Sequence, residues 1–140
     1  MSYDIESSIG FKINQTANKI NNKFNTLLQK YDIAPEQRAA LEIIKYEKEV
    51  NQTKIANILA KDKTTISRTL ASLEKKGFIL KKQINKRTNL IELTPQGEKI
   101  LEESVIIVKE FRKKVSSNLD ENEIKKIVEL LEKVAFNMEN

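Results

Sequence analysis

The chain of 140 residues contains no cysteine, no histidine and no tryptophan, and only three glycines and two prolines. Without cysteine there is no disulfide, no thiol redox sensor and no cysteine-rich zinc site. Without histidine the commonest general base is missing as well. Few glycines and prolines argue against a long system of catalytic loops. No run of about 18 apolar residues is present, so no bilayer-spanning helix is expected. The opening Met1-Ser2-Tyr3-Asp4 brings in an acid early and lacks the apolar stretch of a signal peptide. These absences predict a cytoplasmic protein with no membrane contact, no metal site and no cofactor.

What is present is charge, unevenly placed. The net charge is +5, yet residues 61–90 alone hold nine Lys and Arg against Asp62 and Glu74, a net of +7 that leaves −2 for the rest of the chain. Positive charge gathered in one segment is what a surface facing a polyanion requires. It is equally what a solvated lysine-rich face looks like, so charge alone leaves both readings open. The length fits one domain with a real core.

Hydrophobic spacing supplies the elements. Ile9, Ile13, Ala17, Ile20, Phe24, Leu27 and Leu28 recur every three or four residues and predict a long helix over about 4–30, with a stripe longer than a small core needs. A partner surface is one explanation of that excess. Pro35 starts a second helix to about Glu47, with Ala39, Leu41, Ile43 and Ile44 inward. Asn51 caps a short third helix from Gln52 to Leu59 that buries Ile55, Ala56 and Leu59. Asp62 caps a fourth from Lys63 to about Lys76, anchored by Ile66, Leu70 and Leu73 and stopped by Gly77.

Phe78-Ile79-Leu80 and Leu90-Ile91-Glu92-Leu93 predict a β-hairpin with a charged tip. Thr94-Pro95 restarts a helix expected to run to about Ser116, and Asp120-x-x-Glu123 begins the last one. The expected fold class is mainly α with a small β-hairpin wing, because three short helices followed by a hairpin is the order of a winged helix-turn-helix.

Within that order the fourth helix is the place to look for function. With Ile66, Leu70 and Leu73 inward, Lys63, Thr64, Thr65, Ser67 and Arg68 face outward near its N-terminus. Short hydroxyls and long cations at a helix N-terminus suit the major groove of duplex DNA, where Arg68 can grip a guanine edge with two hydrogen bonds. Thr and Ser are mediocre helix formers, so a purely solvated turn would more often use Glu, Lys or Gln. Lys75 and Lys76 read better as ordinary solvated residues. At the hairpin tip, Lys86 and Arg87, flanked by Asn85 and Thr88, can reach an adjacent minor groove. A charged tip that discourages edge aggregation is the plainer alternative.

The stretch LAKDKTTISRTLASLEKKG at residues 59–77, followed by LTPQG at 93–97, resembles the recognition-helix and post-wing signatures of MarR-type transcriptional regulators. The resemblance implies a helical dimerisation region added to the winged helix-turn-helix. The whole chain, 1–140, would then be one MarR-like domain, with 33–97 the winged helix-turn-helix and 1–32 and 98–140 the helices of a homodimer. It implies that Lys63, Thr64, Thr65, Ser67 and Arg68 lie in the major groove, that Thr53 approaches phosphate, and that Arg87 is the wing-tip arginine. Many such regulators lose DNA affinity when a small aromatic or phenolic molecule binds between the dimerisation and DNA-binding parts.

The sequence departs from the family pattern in three places. The usual Asp-x-Arg of the wing is Asn85-x-Arg87 here, so the bracing charge pair is absent. The interval from Gly77 to Asn85 is about two residues shorter than usual. Ala34 replaces the hydroxyl often found before the second helix and weakens that cap.

The predicted function is that of a sequence-specific, double-stranded DNA-binding transcriptional regulator. It is expected to act as a repressor and a homodimer on a pseudo-palindromic operator, and to be released by a small aromatic ligand if by any. A protein-interaction module is the competing reading, because fold does not fix function. An enzyme has little support: Glu42, Glu47, Glu49 and Glu92 show no pairing beyond helix-surface spacing. Phe11, Tyr31, Tyr46 and Phe111 can line a pocket, though aromatic residues on such helices more often serve the core.

Overall fold

Local signals in the chain set most of the element boundaries in the computed structural model, which describes residues 4–139. Met1-Ser2-Tyr3, the start of the segment compared above with a signal peptide, lies outside the described residues. Ser8 takes an extended conformation and its hydroxyl accepts from the amide of Phe11, so the first helix, α1, spans Ile9–Leu28 rather than starting at residue 4. Short 3-10 turns flank it at Ile5–Ser7 and Gln29–Tyr31, and left-handed Asp32 (φ +55°) ends the second. Only part of the predicted stripe is covered, with Leu28 buried, Phe24 and Leu27 half-buried, and Ile9 and Ala17 exposed.

Helix α2 spans Pro35–Tyr46, α3 Gln52–Leu59 and α4 Lys63–Lys75. Ala34 offers α2 no acceptor, and only the reverse half of a reciprocal cap remains, in which Gln37 Oε1 accepts from the Ala34 amide at 3.0 Å. Asn51 Oδ1 caps α3 through the Lys54 amide at 2.8 Å. Gly77 has φ +81°, the left-handed geometry expected just beyond α4.

Strands β1 (Ile79–Gln83) and β2 (Asn89–Leu93) pair antiparallel, with Ile79 opposite Leu93, Lys81 opposite Ile91 and Gln83 opposite Asn89. The ribbon runs further than the apolar pattern predicted, because Lys81, Lys82 and Gln83 continue the ladder with polar side chains. The Ile91 amide donates to the Val50 carbonyl at 2.8 Å, which fastens the wing to the connection before α3.

Ala40, Leu41, Ile44, Val50, Ile55, Ala56, Ile66, Leu70, Leu73, Ile79, Ile91 and Leu101 form one core under α2, α3, α4 and the wing. Ala39 and Ile43 are only half-buried, and α2 instead buries Arg38.

Helix α5 spans Pro95–Glu103 and α6 Val105–Val115, so the single helix expected over 95–116 is interrupted at Ser104. The Ser104 hydroxyl donates back to the Ile100 carbonyl (2.8 Å) and accepts from Arg38 Nε (2.8 Å), while Arg38 Nη2 reaches the Leu101 carbonyl. Side-chain donors that compete for helix carbonyls bend the ladder at that turn. Arg38 also pairs with Glu42 at 3.0 Å, so this buried cation is fully engaged.

The described residues group into two compact units, one ending at Val105 and the other starting at Ile106. That division falls inside the segment assigned above to dimerisation. The second unit holds most of α6 and the whole of α7 (Glu121–Phe136), which opens on the expected reciprocal cap between Asp120 and Glu123. Helix α7 has no buried residue: Ile127, Val128, Leu130 and Leu131 are each 44–48 % exposed.

Candidate nucleic-acid interface

Helix α4 is pinned on one side and open on the other. Ile66, Leu70 and Leu73 have no exposed surface, which fixes the rotation of the helix about its axis. Thr64 and Arg68 stand on the opposite side, Ser67 on its flank and Lys63 at the helix end, and all four are exposed. Thr65 sits differently. It is half-buried, its amide donates to Asp62 Oδ1 at 2.7 Å and its hydroxyl bonds the same carboxylate. Those two bonds, the amide's first, hold the Asp62 carboxyl below its ordinary value of 3.8, and Arg68 adds a smaller pull in the same direction.

A polar stripe on α4 holds the helix against the start of α2. Thr69 Oγ1 donates to Glu36 Oε1 (2.7 Å), Gln37 Nε2 donates to Ser72 Oγ (3.0 Å), and Lys76 reaches Gln37 Oε1 and the Asp32 carbonyl. Lys76 is therefore a brace within the fold. Nothing in the local pattern signals this stripe, because its partners lie more than thirty residues away.

The wing tip is closed by Asn85, whose Oδ1 accepts from the amides of Arg87 and Thr88, both at 2.9 Å. Position 85 thus braces backbone where an aspartate would brace the arginine. Lys86 and Arg87 are exposed. Thr53, the second residue of α3, is exposed as well, and Gln52 beside it donates from Nε2 to the Lys63 carbonyl at 3.0 Å, joining the starts of α3 and α4.

Of the nine cations between residues 61 and 90, only Lys61, near Glu36, and Lys76, near Asp32, have an acidic partner within 4 Å among the described residues. The other seven are Lys63, Arg68, Lys75, Lys81, Lys82, Lys86 and Arg87. Positive charge left unneutralised along one stretch is held at a cost in self-repulsion that a polyanionic partner removes. Elsewhere the charge has the opposite sign. A cleft beside β2 is lined by Glu47, Glu49, Glu92 and Glu98, with Lys45 bonded to Glu98 at 2.8 Å, a contact that raises the lysine's pKa.

The pinned helix, the ribbon beside it and the unneutralised cations define a winged helix-turn-helix protein of the transcription-regulator class. The MarR family model matches residues 33–88. A helix-turn-helix transcriptional regulator of Bacillus cereus is 32 % identical over 131 residues, covering 93 % of this chain and 88 % of that protein. The chain belongs to the MarR family. Among solved structures, a MarR/EmrR family regulator from Acinetobacter superimposes with a TM-score of 0.90 at 28 % identity, covering 97 % of this chain and 98 % of the other. A point mutant of MarR from E. coli in complex with operator DNA gives 0.83 at 25 % identity, covering 95 % and 99 %. Among the described residues no helix is long and apolar enough to cross a membrane.

Proposed function

We propose that the protein is a cytoplasmic, sequence-specific repressor that binds duplex DNA as a homodimer on a pseudo-palindromic operator. The observation that carries this reading is the first two turns of α4. Lys63, Thr64, Ser67 and Arg68, all able to donate hydrogen bonds, are exposed beside a buried stripe of Ile66, Leu70 and Leu73, at the end of the helix where its dipole is positive. Lys63, Thr64, Ser67 and Arg68 enter the major groove, and Arg68 reads a guanine edge or grips a phosphate. Thr65 serves the same surface indirectly, by holding Asp62 and with it the start of the helix. Thr53 supplies a phosphate contact, and Lys86 on the tip held by Asn85 adds affinity that does not depend on sequence.

Two copies place two recognition helices in successive major grooves, roughly 34 Å apart. Support for the second copy comes from α7, whose apolar side chains stay half-exposed in a single chain. A helix of that length gains most of its stability from packing that face. A small aromatic effector that prefers a dimer with the wrong helix spacing shifts the population away from DNA.

The test is capture of fragmented genomic DNA by the full-length protein. It is followed by titration of the retained duplex and a scrambled duplex over a range of salt. The reading requires tighter binding to the retained duplex at every salt concentration, with affinity for both falling as salt rises. Equal affinity for the two duplexes throughout would refute sequence-specific regulation, and no duplex binding at low salt would favour an interaction module.

A further inference from the structure

We propose that the cleft between the start of α3 and the wing is a seat for one backbone phosphate of DNA, gripped by Lys81 and Arg87, so that Arg87 acts on the phosphodiester backbone and not on base edges. The proposal rests on the duplex-binding reading above and assigns the wing a specific part in it. The cleft has a volume of about 220 Å³ and is lined by Gln52 and Thr53 on the α3 side and by Lys81, Arg87 and Asn89 on the wing side. No carboxylate lines it, and neither cation has an acidic partner within 4 Å among the described residues.

The register of the ribbon explains why the two cations meet there. Side chains alternate along a strand, so Lys81 shares a face with Ile79, which is buried, and stands opposite Ile91, which is buried too. That is the inner face of the wing, whose β2 edge is fastened to the chain just before α3 by the bond from the Ile91 amide to the Val50 carbonyl. Lys81 itself stays exposed, and with Gln52 and Thr53 it lines the cleft on the α3 side of the ribbon.

Arg87 comes back to the same place because the tip is short. The Ile84 amide donates to the Thr88 carbonyl at 2.9 Å, and Asn85 Oδ1 takes the amides of Arg87 and Thr88. This closes the turn and puts Arg87 on the returning limb. The Asn85 oxygen is neutral and already engaged with backbone, so no carboxylate at position 85 competes for the guanidinium.

The site suits a phosphodiester in chemistry as well as in charge. A guanidinium offers two parallel N–H donors to two phosphate oxygens, an ammonium adds a point charge, and the Thr53 hydroxyl adds a neutral donor. The seat is also tied to the recognition helix, because Gln52 on its wall donates to the Lys63 carbonyl at the start of α4. A phosphate held there fixes the register at which α4 meets the groove.

The experiment uses the full-length protein and the duplex it retains from genomic DNA. Each phosphate of the duplex is replaced in turn by an uncharged methylphosphonate. Binding is measured for the wild type, Lys81→Gln and Arg87→Gln, and circular dichroism melting confirms that both variants fold. Both are expected to weaken the retained and scrambled duplexes by the same factor, and each to lower the slope of log affinity against log salt by roughly 1. The wild type should lose affinity at one particular methylphosphonate in each half-site, and both variants should be insensitive at that same position. Sensitivity unchanged by either substitution, or changed at two different phosphates, would overturn the seat. So would an Arg87→Gln variant that weakens the retained duplex but leaves the scrambled one alone, since that marks base reading. A wild type with no duplex affinity at all would remove the DNA reading itself, and the seat with it.

Discussion

Asp62 shows how a single capping side chain sets the start of the candidate interface. Its carboxylate takes the amide and hydroxyl of Thr65 and so fixes the turn from which Lys63, Thr64, Ser67 and Arg68 project. Its pKa is lowered on folding, chiefly by the Thr65 amide, so the stabilisation it brings is present above the ordinary carboxylate range. That stabilisation is lost as pH falls through the ordinary value toward the folded one. Asp62→Asn keeps an acceptor that does not titrate. The variant is expected to match the wild type near neutral pH and to lose less of its urea midpoint between about pH 5 and pH 3. Parallel losses in the two proteins would show that the cap is not formed by the ionised carboxylate.

Arg38 is the counterpart in the interior. It is 3 % exposed, and its bonds to Ser104, Glu42 and the Leu101 carbonyl join α2 to the break between α5 and α6. Removing one partner of such a buried network leaves the others unsatisfied.

At the scale of elements, the helix-turn-helix and wing depend on two unusual backbone positions. Ala60 closes α3 in a left-handed conformation (φ +55°), where its amide bonds the carbonyls of Ala56 and Asn57. A side chain there costs energy that glycine avoids, partly offset by glycine's greater freedom in the unfolded chain, so Ala60→Gly should gain about 1 kcal/mol or less. Gly97 is the opposite case. A Cβ on it would overlap the backbone carbonyl of Phe78, which also accepts from the Thr94 amide. Gly97→Ala should therefore cost about 1–3 kcal/mol by forcing α5 off the base of the wing. Urea denaturation of the two variants measures both effects, and a neutral Gly97→Ala would contradict the close packing.

These cases also mark what could be read from the sequence. The caps at Asn51, Asp62, Thr94 and Asp120 and the stop at Gly77 depend on neighbours a few residues away, so their positions were legible. The outward face of α4 followed from the spacing of Ile66, Leu70 and Leu73. The break at Ser104 was not legible, because it depends on Arg38 some sixty residues earlier. Nor was the length of the wing, whose ladder carries polar residues that no apolar alternation reveals. In the sequence Lys81 stands out only as part of a charge count. Its place beside Arg87 became visible once the register with Ile91 was known.

For the whole molecule, the distribution of exposed apolar surface matters most. In α7, Ile127 and Leu131 lie one turn apart and are 48 % and 44 % exposed, and no residue of that helix is buried. If this face joins two copies, Ile127→Glu combined with Leu131→Glu should give a monomer in sedimentation analysis. The same variant should lose most of its operator affinity, because one recognition helix then binds without the other. A double variant that stays dimeric, or a wild type that sediments as a monomer at micromolar concentration, would place the dimer contact elsewhere or remove it.

The most direct measurement compares Arg68→Ala with Lys75→Ala, two cations on the same helix, on the retained duplex and on its scrambled form. Arg68→Ala is expected to shrink the preference for the retained duplex by about 1–3 kcal/mol, and Lys75→Ala to change it little. Equal effects from the two substitutions, or an Arg68→Ala variant that weakens both duplexes alike, would contradict base reading by the first turns of α4.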